Sequence, residues 1–405
     1  MPRPRAGPAR DGRIVEGAAH SLPQPRAGRR GCPLSAVASA LRPTGAARHV
    51  VKLGIIGAGS FTNRILLPSY ERAESVHVAA VADIDGEAAK RTASDFGIGQ
   101  AFDDPHALLT SGVVNAVHIA VPPVHSPDVT EAALAQGLHV ISEKPIATSV
   151  DRARELWEQA RQAGVVHAVD HEMRFDPAMT RIRRLVADGF IGEPRLVTVN
   201  AVLSVGIMPE SPLRLRTWYD SHSLGGGFSQ QVLSHIVDLT RSLFGDLEPL
   251  ADASEMTVPA KPSADAPNEL EACAADDVAV LIGRLPSGGL AVLSGSWVVG
   301  HGAGMAWDMR GSEGTLVLDR DGTLRGGRNG DPLDLIAGDD ADRSIVTTLA
   351  SSDEWQPLLI GLVEEFARAI GGESGPFTFA TFEDGVRVCE SVAAMGARHA
   401  GPHHT

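Results

Sequence analysis

The chain has 405 residues, with 36 Lys and Arg against 50 Asp and Glu and a formal charge of −14 at pH 7. That balance argues against a nucleic-acid partner, which needs a basic face, and no apolar run approaches the about 18 residues of a membrane span. The length suffices for two domains with their own cores, and a composition rich in alanine, glycine and valine with 4% aromatics suits close helix–sheet packing.

The cysteines, Cys32, Cys273 and Cys389, are odd in number and widely spaced, with no Cys-x-x-Cys pair. This disfavours a disulfide framework or structural zinc and fits a reducing, cytoplasmic compartment with buried thiols. Residues 1–50 carry nine arginines against Asp11 and Glu16 and hold no helical or strand period. Such a segment cannot bury enough apolar surface to offset its ordering entropy. It reads as a disordered extension, or as a start upstream of a true one near Val50. Arg29-Arg30 before a short apolar stretch resembles a twin-arginine export signal only loosely, because the stretch is short and contains Pro33.

The next stretch has the order of a dinucleotide site. An apolar strand over 53–56 runs into Gly57-Ala58-Gly59, and a helix begins near Ser60. The first glycine permits the tight turn, the second admits a pyrophosphate, and the helix N-terminus offers N–H groups to it. Thr62 stands where a third glycine is usual. A helix over 63–73, disturbed by Pro68, precedes a buried strand over 76–82 that ends at Asp83. That is about 20 residues past the glycines, where such folds place the acid that accepts from the adenosine ribose. Ile84 and Asp85 follow instead of an arginine or small hydroxyl residue, which favours NAD over NADP. Asp83 could also cap the next helix, over 86–96.

The alternation continues with a strand over 113–121, a helix over 126–136, a strand over 138–142, a helix over 150–163 and a strand over 165–170. Strands separated by helices of this length form a parallel, doubly wound sheet, and its ligands lie at the carboxyl ends of the strands. Those ends carry Pro122 and His125, then Glu143-Lys144-Pro145. A lysine beside a nicotinamide can act as acid or base. Free lysine titrates near ~10.4, so work near neutrality needs a shift of about three units, roughly 4 kcal/mol, from burial and the positive ring. The bland alternative is a solvated Glu–Lys pair in a loop.

The series Gly57-x-Gly59, Asp83, Pro122-Pro123-x-His125 and Gly137-Leu-His-Val-Ile-Ser-Glu143-Lys144-Pro145 resembles the Gfo/Idh/MocA family of oxidoreductases. These are the glucose–fructose oxidoreductase, inositol dehydrogenase and rhizopine-catabolism enzymes. The resemblance covers residues 51–400. It implies a Rossmann domain over 51–171 and an α+β domain over 172–400 with an open, largely antiparallel sheet. It also implies a nicotinamide cofactor and sugar-like substrates. The cofactor residues it implies are Gly57, Gly59, Ser60, Phe61, Thr62, Asp83, Ile84, Ala120, Pro122, His125, Glu143 and Lys144.

The second half is consistent with it. Residues 171–177, His-Glu-Met-Arg-Phe-Asp-Pro, look like the family's hinge, and a helix follows to Asp188. A strand over 197–205 comes next, and the later strands over 278–285, 290–299 and 315–318 lack intervening helices, so this sheet is largely antiparallel, with a free face suited to a homodimer or tetramer. Residues 248–276 read as including an exposed loop, and helices over 355–370 and 383–395 close the chain. His403-His404 is too little for a metal site, and no metal is expected.

Gly225-Gly226-Gly227 resembles the family's triple-glycine loop before its catalytic helix. Positions 231, 235 and 238 share one helical face. The family's sugar and inositol dehydrogenases usually present Asp, His and Asp there; His235 and Asp238 match, and Gln231 replaces the first Asp. A carboxylate would hold an imidazolium by up to about 4 kcal/mol at an effective dielectric of ~20. Gln231 cannot, so His235 is expected neutral near pH 7, with Lys144 carrying more of the proton transfer. Gln231 could instead orient substrate hydroxyls, since its amide both donates and accepts. Taken alone, His235 reads as a core histidine; the triple glycine and Glu-Lys-Pro make it a site candidate. Trp218 is a candidate wall for a sugar ring, Arg174 matches a family position near the cleft, and Arg214 and Arg216 could grip an anionic group. The resulting expectation is an NAD-dependent dehydrogenase or reductase of a sugar, inositol or polyol, with Lys144 and His235 handling the proton. A non-redox sugar enzyme that uses the cofactor transiently, and a ligand sensor without turnover, are the other readings.

Overall fold

The computed structural model describes residues 50–399, except 208–210, 212–213, 265, 337–342, 346 and 348–351. The expected extension over 1–49, Cys32 and the pair His403-His404 lie outside the described residues.

Strands β1 (Val51–Ile56), β2 (Val76–Ala82), β3 (Gln100–Phe102), β4 (Ala116–Ile119), β5 (His139–Ser142) and β6 (His167–Val169) form a parallel six-stranded sheet in the order β3-β2-β1-β4-β5-β6. Helices α1 (Leu67–Tyr70), α2 (Gly86–Asp95), α3 (Pro105–Thr110), α4 (Ser126–Ala135) and α5 (Val150–Ala163) connect them. The strands are nearly all apolar because both faces are covered. Leu53 and Ile55 pack with Leu66, Leu67 and Tyr70 on one face, while Ile56, Val117 and Ile119 pack with Leu134 and Leu156 on the other. The strand order reverses between β1 and β4, which places the ligand crevice at Gly57 and Ala120. Local signals set the helix ends: Ser149 accepts from Arg152 N at the start of α5, and Gly164 ends it at φ 65°.

After a 3₁₀ turn over Glu172–Phe175 come α6 (Pro177–Ala187), β7 (Pro194–Val202), α7 (Ser234–Phe244), β8 (Glu248–Glu255) and the short hairpin of β9 (Ala260–Pro262) and β10 (Leu270–Ala272). Then follow β11 (Val278–Arg284), β12 (Leu290–Ser296), β13 (Gly304–Gly311), β14 (Gly314–Leu318), β15 (Leu324–Arg328), β16 (Asp334–Leu335), α8 (Ser352–Ile370) and α9 (Phe382–His399). The eight-stranded sheet runs β16-β15-β14-β13-β7-β12-β11-β8, antiparallel except for β7 beside β12. Alternation along β11 to β14, broken by paired buried residues at the end of β12 and the start of β13, buries one face against α6 and α7 and leaves the other half exposed.

Several expectations need correction. Residues 248–276 include the expected exposed loop, with Pro267, Asn268 and Glu269 open to solvent, but also β8, which pairs with β11 at the sheet edge. The helix expected over 63–73 is a helical run over 60–70 that includes a π-turn, Thr62–Leu66, with Pro68 following directly after that turn. The two layers are also not divided cleanly at 171. Leu359, Leu362, Val363 and Phe366 of α8 complete the core beneath α1, and Phe382, Val386 and Cys389 of α9 complete the opposite face. Cys273 and Cys389 are buried free thiols, and no described helix is long and apolar enough to cross a membrane.

Because Phe366 is fully buried in the nucleotide-domain core, Phe366→Ala should lower the unfolding free energy by about 3–5 kcal/mol in urea denaturation. A loss below about 1 kcal/mol would mean that α8 does not close that core.

Candidate active site

The glycine loop is built from both ends. Gly57 turns at φ 106°, and any side chain there would overlap the carbonyl oxygen of Ala120 at the end of β4. Gly59 faces open space, with nothing within 4 Å of where a Cβ would stand. Thr62 fills the third-glycine position with a hydrogen bond, its Oγ1 donating to Gly57 O at 2.6 Å. Ser60 is exposed and Phe61 half-buried at the first turn of the helical run. The bare, open backbone at a helix start is the cradle a pyrophosphate fits.

Asp83 ties this loop to β2. Its Oδ2 accepts from Ala58 N at 2.7 Å and its Oδ1 from Asp85 N at 2.8 Å. The helix cap is Asp85, which accepts from Glu87 N and Ala88 N, so the capping alternative for Asp83 is corrected. Ile84 is 88% exposed beside it. On the neighbouring strand end, Ala120 and Pro122 are half-buried, and His125 turns outward as an exposed side chain, with its backbone N bonded to Pro122 O.

The end of β5 carries Glu143 and Lys144 to the junction of the two layers. Lys144 Nζ donates to Gln231 O at 3.1 Å and to Gln231 Oε1 at 2.7 Å, and Gln231 Nε2 donates to Gly225 O at 2.8 Å. Gly225 can serve because a Cβ at its φ of 85° would strike Pro123. Both ends of the Gln231 amide are therefore engaged in holding Lys144. Burial pushes the Lys144 ammonium down from its ordinary value, opposed by Glu143, Glu172 and Asp170.

Asp238 is on the expected helix but is not a partner of His235. It takes Arg174 bidentately, Nε to Oδ2 at 2.7 Å and Nη2 to Oδ1 at 2.6 Å, and Asp384 stands 3.2 Å from the same guanidinium. Arg174 is thus buried in an ion pair under the site and corrected as a substrate contact. The partner of His235 is His171, Nδ1 to Nδ1 at 3.4 Å with the rings edge to face. Burial, then Lys144 and His171, hold His235 well below the usual imidazole range, and burial holds His171 at about 4. Both rings are neutral at pH 7, so one Nδ1 donates and the other accepts.

Trp218 stacks on Tyr219, with centroids 3.9 Å apart. Burial, with the Glu143 charge added, lifts the Tyr219 phenol to about 12. Arg216 is occupied by the carbonyls of Ala272 and Thr217, and Arg214 is half-buried in the same loop. Sequence reasoning missed Tyr219, His171 as a partner of His235, and a buried group of His118, Glu143, Asp170 and Glu172. A histidine inside the apolar strand over 116–119 was the available signal for the last of these.

The loop geometry makes a paired prediction. Gly57→Ala should destabilise the fold by about 1–3 kcal/mol from backbone strain alone. Gly59→Ala should leave stability within about 0.5 kcal/mol and weaken dinucleotide affinity. Equal thermal shifts for the two variants, with equal cofactor affinity, would contradict this division of roles.

Residues 51–171 match the oxidoreductase family with the NAD-binding Rossmann fold, and residues 179–317 match the GFO/IDH/MocA C-terminal domain. Among similar proteins is the dTDP-3,4-didehydro-2,6-dideoxy-alpha-D-glucose 3-reductase of Streptomyces violaceoruber, 31% identical over 67% of this chain and 73% of that one. The D-apiose dehydrogenase of Paraburkholderia graminis is 27% identical over 67% of this chain and 68% of its own length. In fold, the chain is similar to a levoglucosan dehydrogenase solved with NADH and levoglucosan, with a TM-score of 0.73 at 20% identity over 86% of this chain and 97% of that one. With both halves matched in order, the chain belongs to the Gfo/Idh/MocA family and is an NAD-dependent oxidoreductase.

Proposed function

We propose that this protein is a dehydrogenase or reductase that acts on a secondary alcohol, or the corresponding ketone, of a sugar, inositol or related polyol. The observation that carries the reading is the clasp of Lys144 by Gln231 at the carboxyl end of β5. The sugar-named relatives support the substrate class. When bound, the nicotinamide accepts or supplies the hydride at the substrate carbon.

The rest of the chemistry belongs to the chain. As a neutral amine, Lys144 spends both N–H groups on Gln231 O and Oε1, which leaves its lone pair for a substrate hydroxyl proton. As an ammonium, it has a third N–H to give to a carbonyl oxygen. His235, neutral against His171, offers a hydrogen bond to a neighbouring hydroxyl. Trp218, braced by Tyr219, is the ring wall. The Asp83 carboxylate, beside Asp85, suits ribose hydroxyls and opposes a 2′-phosphate, which favours NAD over NADP. The half-exposed face of the eight-stranded sheet, with a shallow cavity of about 330 Å³ bordered by Asn200, Val202, Val280 and Ser294, is the proposed homo-oligomer surface.

The test is nicotinamide absorbance with the purified full chain, NAD or NADP, and a panel of sugars, inositols and sugar acids. Turnover of one compound, lost in Lys144→Ala with cofactor binding retained, is the expected result. Silence across the panel with NAD bound contradicts it. Substrate consumed without net nicotinamide change points instead to the transient-oxidation reading.

Gln231→Asp tests the role of the clasp. A carboxylate in place of the amide stabilises the ammonium and raises the Lys144 pKa, so the acidic limb of alcohol oxidation, where the amine becomes free, should move up by about 1–3 pH units. An unchanged profile would remove Gln231 from the proton network.

A further inference from the structure

Behind Lys144 lies a group of side chains that binding alone does not require. His118 of β4, Glu143 after β5 and Asp170 after β6 converge there, with Glu172 of the following turn and Tyr70 of α1. His118 Nε2 stands 3.5 Å from Glu143 Oε1 and 3.7 Å from Asp170 Oδ2, and His118 Nδ1 is hydrogen-bonded to the Tyr70 hydroxyl. His118 and Asp170 are 0% exposed, while Glu143 keeps 16% of its side chain open. Among the described residues, His118 Nε2, Glu143 Oε1 and both Asp170 oxygens find no hydrogen-bond partner. Yet one carboxylate oxygen of Asp170 and one of Glu143 lie, with a ring nitrogen of His118, within 4.8 Å of one another.

Two ionised carboxylates this close in a dry interior repel each other, and a proton on one member relieves the repulsion. The other groups facing this cluster do not balance it. His171, His235 and Tyr219 are neutral near pH 7, and the Arg174 charge is taken by Asp238 and Asp384. Three acids thus face one Lys144 and one histidine. Lys144 itself opposes a divalent cation in that space, whereas protons neutralise the acids in place.

We propose that Glu143, Asp170 and Glu172, joined by His118, form a proton store for Lys144, holding shared protons at rest and exchanging one with the lysine in each turnover. This rests on the acid–base role proposed for Lys144. In carbonyl reduction, Lys144 Nζ gives a proton to the carbonyl oxygen as hydride from NADH reaches the carbon, and the N–H electron pair stays on nitrogen. The amine then takes a proton from the store, and that O–H pair stays on oxygen as a carboxylate. Alcohol oxidation reverses both steps. Burial, followed by Glu143 and Glu172, lifts Asp170 well above the carboxylate range, and burial and then Glu143 lift Glu172 to about 8. Burial lowers Lys144 toward them, and proton exchange is easiest when donor and acceptor pKa values approach each other.

The experiment is infrared spectroscopy of the full chain, which needs no substrate. At pH 7 the wild type should show the carbonyl stretch of a protonated carboxylic acid, shifted in heavy water and titrating away near and above pH 8. The band should weaken in Asp170→Asn and in Glu172→Gln, so one folded variant suffices. With substrate, Asp170→Asn should lower kcat for carbonyl reduction by about tenfold, shift its pH profile and leave KM little changed. Absence of the band in the wild type, its persistence in the variants, or a stoichiometric divalent metal found by elemental analysis would overturn the proposal. A band that behaves as expected in a protein silent on the whole panel would count against the dehydrogenase reading alone.

Discussion

The structure depends on a lysine held at a joint. Lys144 belongs to the nucleotide-binding sheet and Gln231 to the helix that enters the second domain, and the two hydrogen bonds between them cross the junction. A carboxylate at 231 would have paired with the lysine as an ion. An amide fixes its position without stabilising its charge, so burial controls the proton. The same junction takes His235 out of reach of Asp238 and turns it to His171.

Buried charge here is sorted into two kinds. Arg174, Asp238 and Asp384 are compensated: burial works against the Asp384 charge, yet Arg174 and the Thr381 hydrogen bonds hold it at about 2. These groups lock the turn before α6 to α7 and α9. Glu143, Asp170, Glu172 and His118 are under-compensated, and they lie behind Lys144, the proposed acid–base group. Removing one partner from the first set would leave a charge stranded and destabilise the fold. Change in the second set would fall on pH dependence.

Much of the fold was legible in the chain itself. Strand 76–82 and helix 150–163 were bounded by apolar runs, Ser149 and Gly164, and the structure keeps those limits. β3 escaped because two exposed residues and one half-buried one carry no period, and β13 because its glycine ends and mixed polarity hid an alternation that is plain once β7 lies beside it. The candidate site was legible as positions but not as partnerships. Thr62, Gln231 and Arg174 each stood out in sequence, yet the bonds that define them reach Gly57, Lys144 and Asp238, and only the last two of these pairings cross long stretches of chain. His118 and Asp170 lie 52 residues apart in sequence, and they become a pair only because β5 separates their strands by one position.

The fold keeps Lys144 easier to deprotonate than an ordinary lysine. The chain has four lysines, Lys52, Lys90, Lys144 and Lys261, so selective isotope labelling of lysine side chains gives a sparse NMR spectrum in which Lys144→Arg assigns the signal. The account predicts a Lys144 midpoint below the usual value of about 10.4. A midpoint at or above that value would contradict it and leave the clasp a structural bond.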